Sequence, residues 1–302
     1  GALALVSNAL CPVGVFMNER FMFIPSLGLI MVLVHVAQEK LPAKTSGTVL
    51  MGVSLIFALL TVNRNYAWEN DEALALADVE TSEGSAKAHM AAGDALITKG
   101  KKANNAVEKN NYYQEAFTHL NASLKIYPGY FPPLDLLASL YFETGNYKAS
   151  AEYYALCYRR KPGKPIFLSN VVVVGNKLIT ENKYNEALYA YKLALKENPD
   201  YVEALSKAAE TEARYLNNPA GALVYLRKAM EVQPGNADIV QRTGIVTAMT
   251  GDYPEAIRIL EESLRLDPDN SFTLNNLGIT YMQAGMQAKG QEYINRAKAA
   301  KQ

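Results

Sequence analysis

Residues 251–270, GDYPEAIRILEESLRLDPDN, decide the fold. They read as a turn, then Tyr253, small Ala256, apolar Leu260, small Ser263 and a closing Pro268. Residues 181–200, ENKYNEALYAYKLALKENPD, repeat the order with Tyr184, Ala187, Tyr191, Ala194 and Pro199. Residues 275–297, NNLGITYMQAGMQAKGQEYINRA, give it again, with Gly278 and Tyr281 in the first helix. Prolines 128, 162, 199, 234 and 268 mark the period, with spacings of 34, 37, 35 and 34 residues. A fixed period near 34 means stacked helix pairs, because one pair alone cannot bury its apolar face. The small residues (Gly244, Ala256, Gly278, Ala187, Ala222) let two antiparallel helices approach closely. Leu260 and Leu226 fill the seam, and proline ends one unit and starts the next.

This pattern resembles the tetratricopeptide repeat. The resemblance implies an all-α solenoid of about six units, at 85–128, 131–162, 165–199, 202–234, 236–268 and 271–301. Two units are irregular. KGKKANNAVEKNN, residues 99–111, is expected as a polar insertion between the helices of the first. The fourth has Glu210 where a small residue is usual and Pro219 where an aromatic is usual. First-helix faces line the inner groove of such a solenoid. By register that face carries Lys87, Met90, Asp94, Asp135, Ser139, Phe142, Asn176, Lys207, Arg214, Tyr215, Gln241, Phe272 and Asn275. Mixed charges with aromatics suit an extended peptide or a partner protein; the alternative is a partly solvated concave face with no dedicated ligand. There is no concentrated basic cluster of the kind that clamps a C-terminal carboxylate. Asn121-Ala-Ser is a glycosylation sequon inside a predicted helix, where use is not expected.

Of 302 residues, 30 are Lys or Arg and 30 are Asp or Glu, so net charge is zero and nothing argues for a nucleic-acid partner. The average hides a split. Residues 1–64 hold six charged side chains (Glu19, Arg20, Glu39, Lys40, Lys44, Arg64), and the remaining 238 residues hold 54. Eighteen uncharged residues lie between Arg20 and Glu39, and nineteen between Lys44 and Arg64. As helices each spans roughly 27 Å, close to the ~30 Å hydrocarbon core of a bilayer. Neither run has a polar stripe. Two transmembrane helices, after the end of a preceding one, are expected in 1–64. The alternative is a buried hairpin in a large soluble domain. His35 is the one ionisable side chain within a span, expected to face another helix near the membrane end. Lys40 and Lys44 in the intervening turn favour its cytoplasmic placement, which puts everything after Arg64 outside the cytoplasm. The chain begins Gly1-Ala-Leu-Ala-Leu, without a signal peptide's basic start, and is expected to be cut from a longer protein. Cys11 and Cys157 belong to different regimes, so no disulfide framework is expected. The three histidines show no metal-ligand spacing, and no metal or cofactor is expected.

The first span opens with MNERFMFIPSLGL, residues 17–29, and the second is followed by RNYAW, residues 64–68. Glu19, Arg20, Phe23, Pro25, Ser26 and Gly28, with Arg64, Asn65 and Trp68, resemble the transmembrane and tetratricopeptide repeat-containing proteins and their bacterial relatives. The resemblance covers essentially the whole chain. It implies a polytopic O-mannosyltransferase-like glycosyltransferase, using a polyprenyl-phosphate sugar and facing the ER lumen in eukaryotes or the periplasm in bacteria. In such enzymes the acidic catalytic residues lie in an early extracytoplasmic loop absent here, so no catalytic residue carries over. Glu19 and Arg20 remain the candidates for meeting a lipid-linked phosphate. Otherwise Arg20 pairs with Glu19 or snorkels to headgroups.

Two functions follow. One is the C-terminal part of a membrane glycosyltransferase whose repeats hold acceptor protein. The other is a non-catalytic membrane-anchored scaffold whose repeats recruit partners. Residues 65–84 are expected as an acidic, helical linker capping the first repeat, with 85–302 as the repeat domain.

Overall fold

The computed structural model describes residues 19–40 and 42–300. Two compact units divide between Ala77 and Asp78. The first holds α1 (Glu19–Lys40) and α2 (Ala43–Ala67). Helix α3 (Asp71–Thr81) begins in it and is started by Asn70, whose side chain accepts from the Ala73 N–H at 2.7 Å. Among the described residues one helix is long and apolar enough to cross a membrane, α2 over Thr45–Val62, and its side chains are almost wholly exposed. Two spans were expected. The first run lies in α1, where the side chains of residues 19–27 are outside the described residues. His35 is exposed beside Glu39, 3.5 Å away.

The second unit is a run of helix pairs, and all six expected units are present. They are α4 (Ala86–Lys102) with α5 (Ala106–Ile126), α6 (Pro132–Glu143) with α7 (Tyr147–Arg160), and α8 (Ile166–Thr180) with α9 (Tyr184–Glu197). Then come α10 (Val202–Glu210) with α11 (Pro219–Val232), α12 (Ala237–Met249) with α13 (Tyr253–Leu266), and α14 (Ser271–Gln283) with α15 (Gln287–Ala299). The turn inside each of repeats 2 to 6 carries one left-handed residue: Gly145, Asn182, Asn217, Gly251 or Gly285. Glycine and asparagine tolerate that conformation best. It lets the N–H just beyond close back on the first helix, as in Asn146 to Tyr141 and Met286 to Tyr281, each 2.9 Å.

Close approach within a pair depends on small residues. A Cβ added to Gly278 would lie 2.8 Å from the Gly290 carbonyl, so neither position admits a larger side chain without parting the helices. Where serine takes the small position it bonds across the pair. Ser123 donates to Ala86 O (2.6 Å), Ser150 to Ala138 O (2.8 Å) and Ser263 to Ala237 O (3.0 Å). Tyr191, Leu260 and Leu277 are fully buried at the seams, and Cys157 is buried with them.

Two expectations are corrected. No insertion separates the helices of the first repeat. Residues 99–111 are the outer ends of two long helices, with only 103–105 between them. Asn105 starts α5 by accepting from the Glu108 N–H at 2.8 Å, and buried Tyr113 packs on Gly100. The polar residues are the solvated side of continuing helix. In the fourth repeat, Glu210 does not occupy the small-residue position. Ala209 does, buried against Ala222 and Leu226. In repeats 3, 5 and 6 the paired small residues are twelve apart (Gly175–Ala187, Gly244–Ala256, Gly278–Gly290), but Ala209 and Ala222 are thirteen apart. A π-helical turn, Thr211–Tyr215, takes up the extra residue. It closes with Leu216 N–H on Thr211 O at 3.1 Å.

Candidate functional site

The π turn places charged side chains over an apolar floor. A cleft of about 530 Å³ lies between the first helices of repeats 4, 5 and 6. Ala209, Ala213, Leu226, Ile245 and Val246 floor it, and Met249 and Phe272 form an exposed lip. Phe272 is 61 % exposed, a large apolar area left to solvent. The rim is charged in pairs. Glu210 holds Lys207 at 3.2 Å and Arg214 at 3.7 Å, and Asp238 holds Arg242 at 2.8 Å. These solvent-accessible pairs are worth little to stability. A second, polar cavity of about 220 Å³ adjoins, lined by Asn176, Ile179, Tyr191, Lys207, Glu210, Thr211 and Tyr215. The Tyr191 hydroxyl donates to Asn176 Oδ1 at 2.8 Å, and burial pushes its pKa far up. Tyr215 stacks on Tyr184, ring centroids 4.7 Å apart, which fixes the end of the π turn.

Of the residues expected in the groove, Arg214, Gln241 and Phe272 line the larger cleft, and Asn176, Lys207 and Tyr215 the smaller. Glu210 belongs to both. Gln241 lies beneath the surface, its amide on Thr273 Oγ1 and on Asn270 Oδ1 at 3.3 Å, joining repeat 5 to repeat 6. Asn275 is half-buried on α14. Lys87 and Asp94 are exposed on α4, and they line neither cavity. Nor do the two candidates from repeat 2. Asp135 is half-buried on α6, where burial raises its carboxyl pKa and Lys161 partly offsets that. Phe142 packs edge-on against Tyr147 at 5.5 Å, at the margin of the core. Nearby, burial pushes the Cys157 thiol up to about 12, which leaves it inert as a nucleophile. The side chains of Glu19 and Arg20, like those of Arg64 and Asn65, lie outside the described residues.

Sequence register alone missed Glu210, Asp238, Arg242, Ile245 and Met249. The available signal was the thirteen-residue step from Ala209 to Ala222, which marks a slip that turns Glu210 to the surface.

Models of the tetratricopeptide repeat match residues 133–164 and 208–271. The human protein O-mannosyl-transferase TMTC3 is 25 % identical over 296 residues, which span 92 % of this chain and 31 % of that protein. TMTC3 of Mus musculus is 24 % identical over 295 residues, with the same coverage. The chain therefore spans about a third of the length of these relatives. Among solved structures, YrrB, described as a tetratricopeptide repeat protein with an unusual peptide-binding site, is 18 % identical with a TM-score of 0.46, covering 60 % of this chain and 91 % of that one. The chain thus carries tetratricopeptide repeats in stacked helix pairs and is similar to TMTC3 along nearly all of its length.

Proposed function

We propose that this chain is the C-terminal region of a polytopic, lipid-phosphate-sugar-dependent glycosyltransferase, whose repeats lie outside the cytoplasm and hold the acceptor protein. The observation that carries the proposal is the likeness to proteins named O-mannosyl-transferases over 92 % of the chain, apolar segments and repeats alike. Residues 1–64 seat the protein in the bilayer. Glu19 and Arg20 stand at its outer boundary, where a guanidinium suits a sugar phosphate better than an ammonium does. The groove of repeats 4 to 6 takes an extended acceptor segment. One bulky apolar side chain enters beside Phe272 and Met249, and flanking charges exchange with the Glu210 and Asp238 pairs. The reaction moves a sugar from polyprenyl phosphate to an acceptor hydroxyl.

The test uses the full-length parent in membranes with polyprenyl-phosphate mannose. Arg20→Gln should depress transfer to every acceptor, short peptides included. Phe272→Ala should raise KM for a protein acceptor and leave transfer to a short peptide unchanged. Retained binding of protein acceptor without transfer from any polyprenyl donor would instead establish the membrane-anchored scaffold.

A further inference from the structure

His89 on α4 and His119 on α5 are thirty residues apart in sequence, yet their Nδ1 atoms lie 3.0 Å apart. Their ring centroids are 5.2 Å apart, so the two nitrogens point at each other along the line of the rings. The other nitrogen of His89, Nε2, lies 2.9 Å from the Glu83 carbonyl oxygen. A carbonyl only accepts, so His89 carries its proton on Nε2 and presents Nδ1 as an acceptor. His119 therefore donates Nδ1–H to it. One relay thus joins the segment after α3, through His89, to the second helix of the first repeat. It sits beside a backbone bond from Ser85 N–H to Ser82 O at 2.9 Å and the Ser85 cap on Ala88 N–H at 3.2 Å.

We propose that the His89–His119 pair is a proton-operated clasp, closed near neutral pH and opened by acid, that pins residues 82–89 to the first repeat. One added proton is compatible with the relay, because His119 can take it on Nε2 and still donate from Nδ1. A second proton puts N–H against N–H and two positive charges at hydrogen-bond distance, and the relay must part. Burial, then the nearness of His89, lowers the His119 pKa, and Glu115 one turn earlier on α5 partly opposes them. The groups acting on His119 are thus His89 from α4 and Glu115 from its own helix. A histidine with a lowered folded-state pKa contributes stability that is fully present above the unfolded value near 6.5 and is lost as pH falls through the folded value. The closed pair admits one proton and the open pair two, so acid favours the open form: the clasp is closed at pH 7.5 and loses its hold as pH falls below the ordinary histidine value near 6.5.

Amide hydrogen exchange of the whole chain in detergent, read over residues 82–90 and corrected for the intrinsic pH dependence of exchange, tests this. Between pH 7.5 and 5.0 the wild-type segment should lose about tenfold or more of its protection, while repeats 3 to 5 keep theirs. In His119→Gln, whose amide donates to neutral His89 Nδ1 and can turn its oxygen to accept from the charged ring, no second positive charge arises and the ratio between the two pH values should fall to about one. His89→Gln serves equally should that variant not fold, which the exchange of repeats 3 to 5 reports in the same sample. Unchanged wild-type protection across the pH range, or a full tenfold response in a folded glutamine variant, would overturn the proposal.

Discussion

Helices α2 and α8 are both rich in apolar side chains, and they meet opposite fates. In α8, Phe167, Leu168, Val171, Val172, Val174 and Leu178 are buried against α7, α9 and α10. Gly175 brings α9 close enough for the buried Tyr191 ring to lie against it. In α2, Met51, Leu55, Ile56, Phe57, Leu59 and Leu60 are all exposed. Apolar composition alone does not tell the two apart. The difference lies in what accompanies it. Helix α8 is flanked by partners bearing small residues and seams, at a period that repeats. Helix α2 has no glycine-sized notch facing a helix, since a Cβ on Gly52 or Gly47 would touch nothing. Smooth, uncovered and about the thickness of a bilayer, α2 suits lipid as its neighbour, in keeping with the proposed seat in the membrane.

The contrast can be broken experimentally. The largest effect is expected for Val171→Asp, which buries a carboxylate among apolar side chains and should lower solenoid stability by about 4 kcal/mol, read by chemical denaturation. Leu55→Arg should leave that denaturation curve unmoved. In a reporter carrying α2 as the test span it should instead weaken membrane insertion by about 3 kcal/mol, seen as a lower inserted fraction. Retained insertion would remove the case for lipid. Ser263→Ala, which takes the donor from the Ala237 carbonyl, should lower the unfolding free energy by about 1 kcal/mol, read in the same denaturation experiment. Smallest is Phe272→Ala, an exposed apolar residue within the solenoid. Its effect on thermal stability should be under about 0.5 kcal/mol, and its loss should be felt in partner binding. A large drop in melting temperature would mean that Phe272 is a structural prop and not a docking lip.

The repeats were legible because proline spacing and small-residue positions are properties of sequence, and all six helix pairs sit where those positions put them. The cleft was legible only in part. Register assigns a residue to a face, which is how Arg214, Tyr215 and Phe272 were found. It does not show how a neighbour holds that face, so register places Gln241 in the groove, where it lines the cleft, but not the bonds to Thr273 and Asn270 that keep it below the surface. A polar run such as 99–111 reads as loop, because solvated helix and solvated coil draw on the same residues. Only the cap at Asn105 and the packing of Tyr113 on Gly100 reveal the helices. The His89–His119 contact joins two helices at positions that follow no repeat, and periodicity is silent there.

One residue added to a helix ordinarily rotates everything beyond it by about 100°. In the fourth repeat the rotation is absorbed within five residues, and α11 and the two repeats beyond still stack in register. A tandem array is commonly taken to lengthen by whole units. Here it has taken a fractional insertion without losing its frame, and the change emerges on the side where Glu210, Arg214 and Tyr215 sit. A single-codon insertion in a first helix is thus a route by which such an array can rewrite its recognition chemistry and keep its architecture.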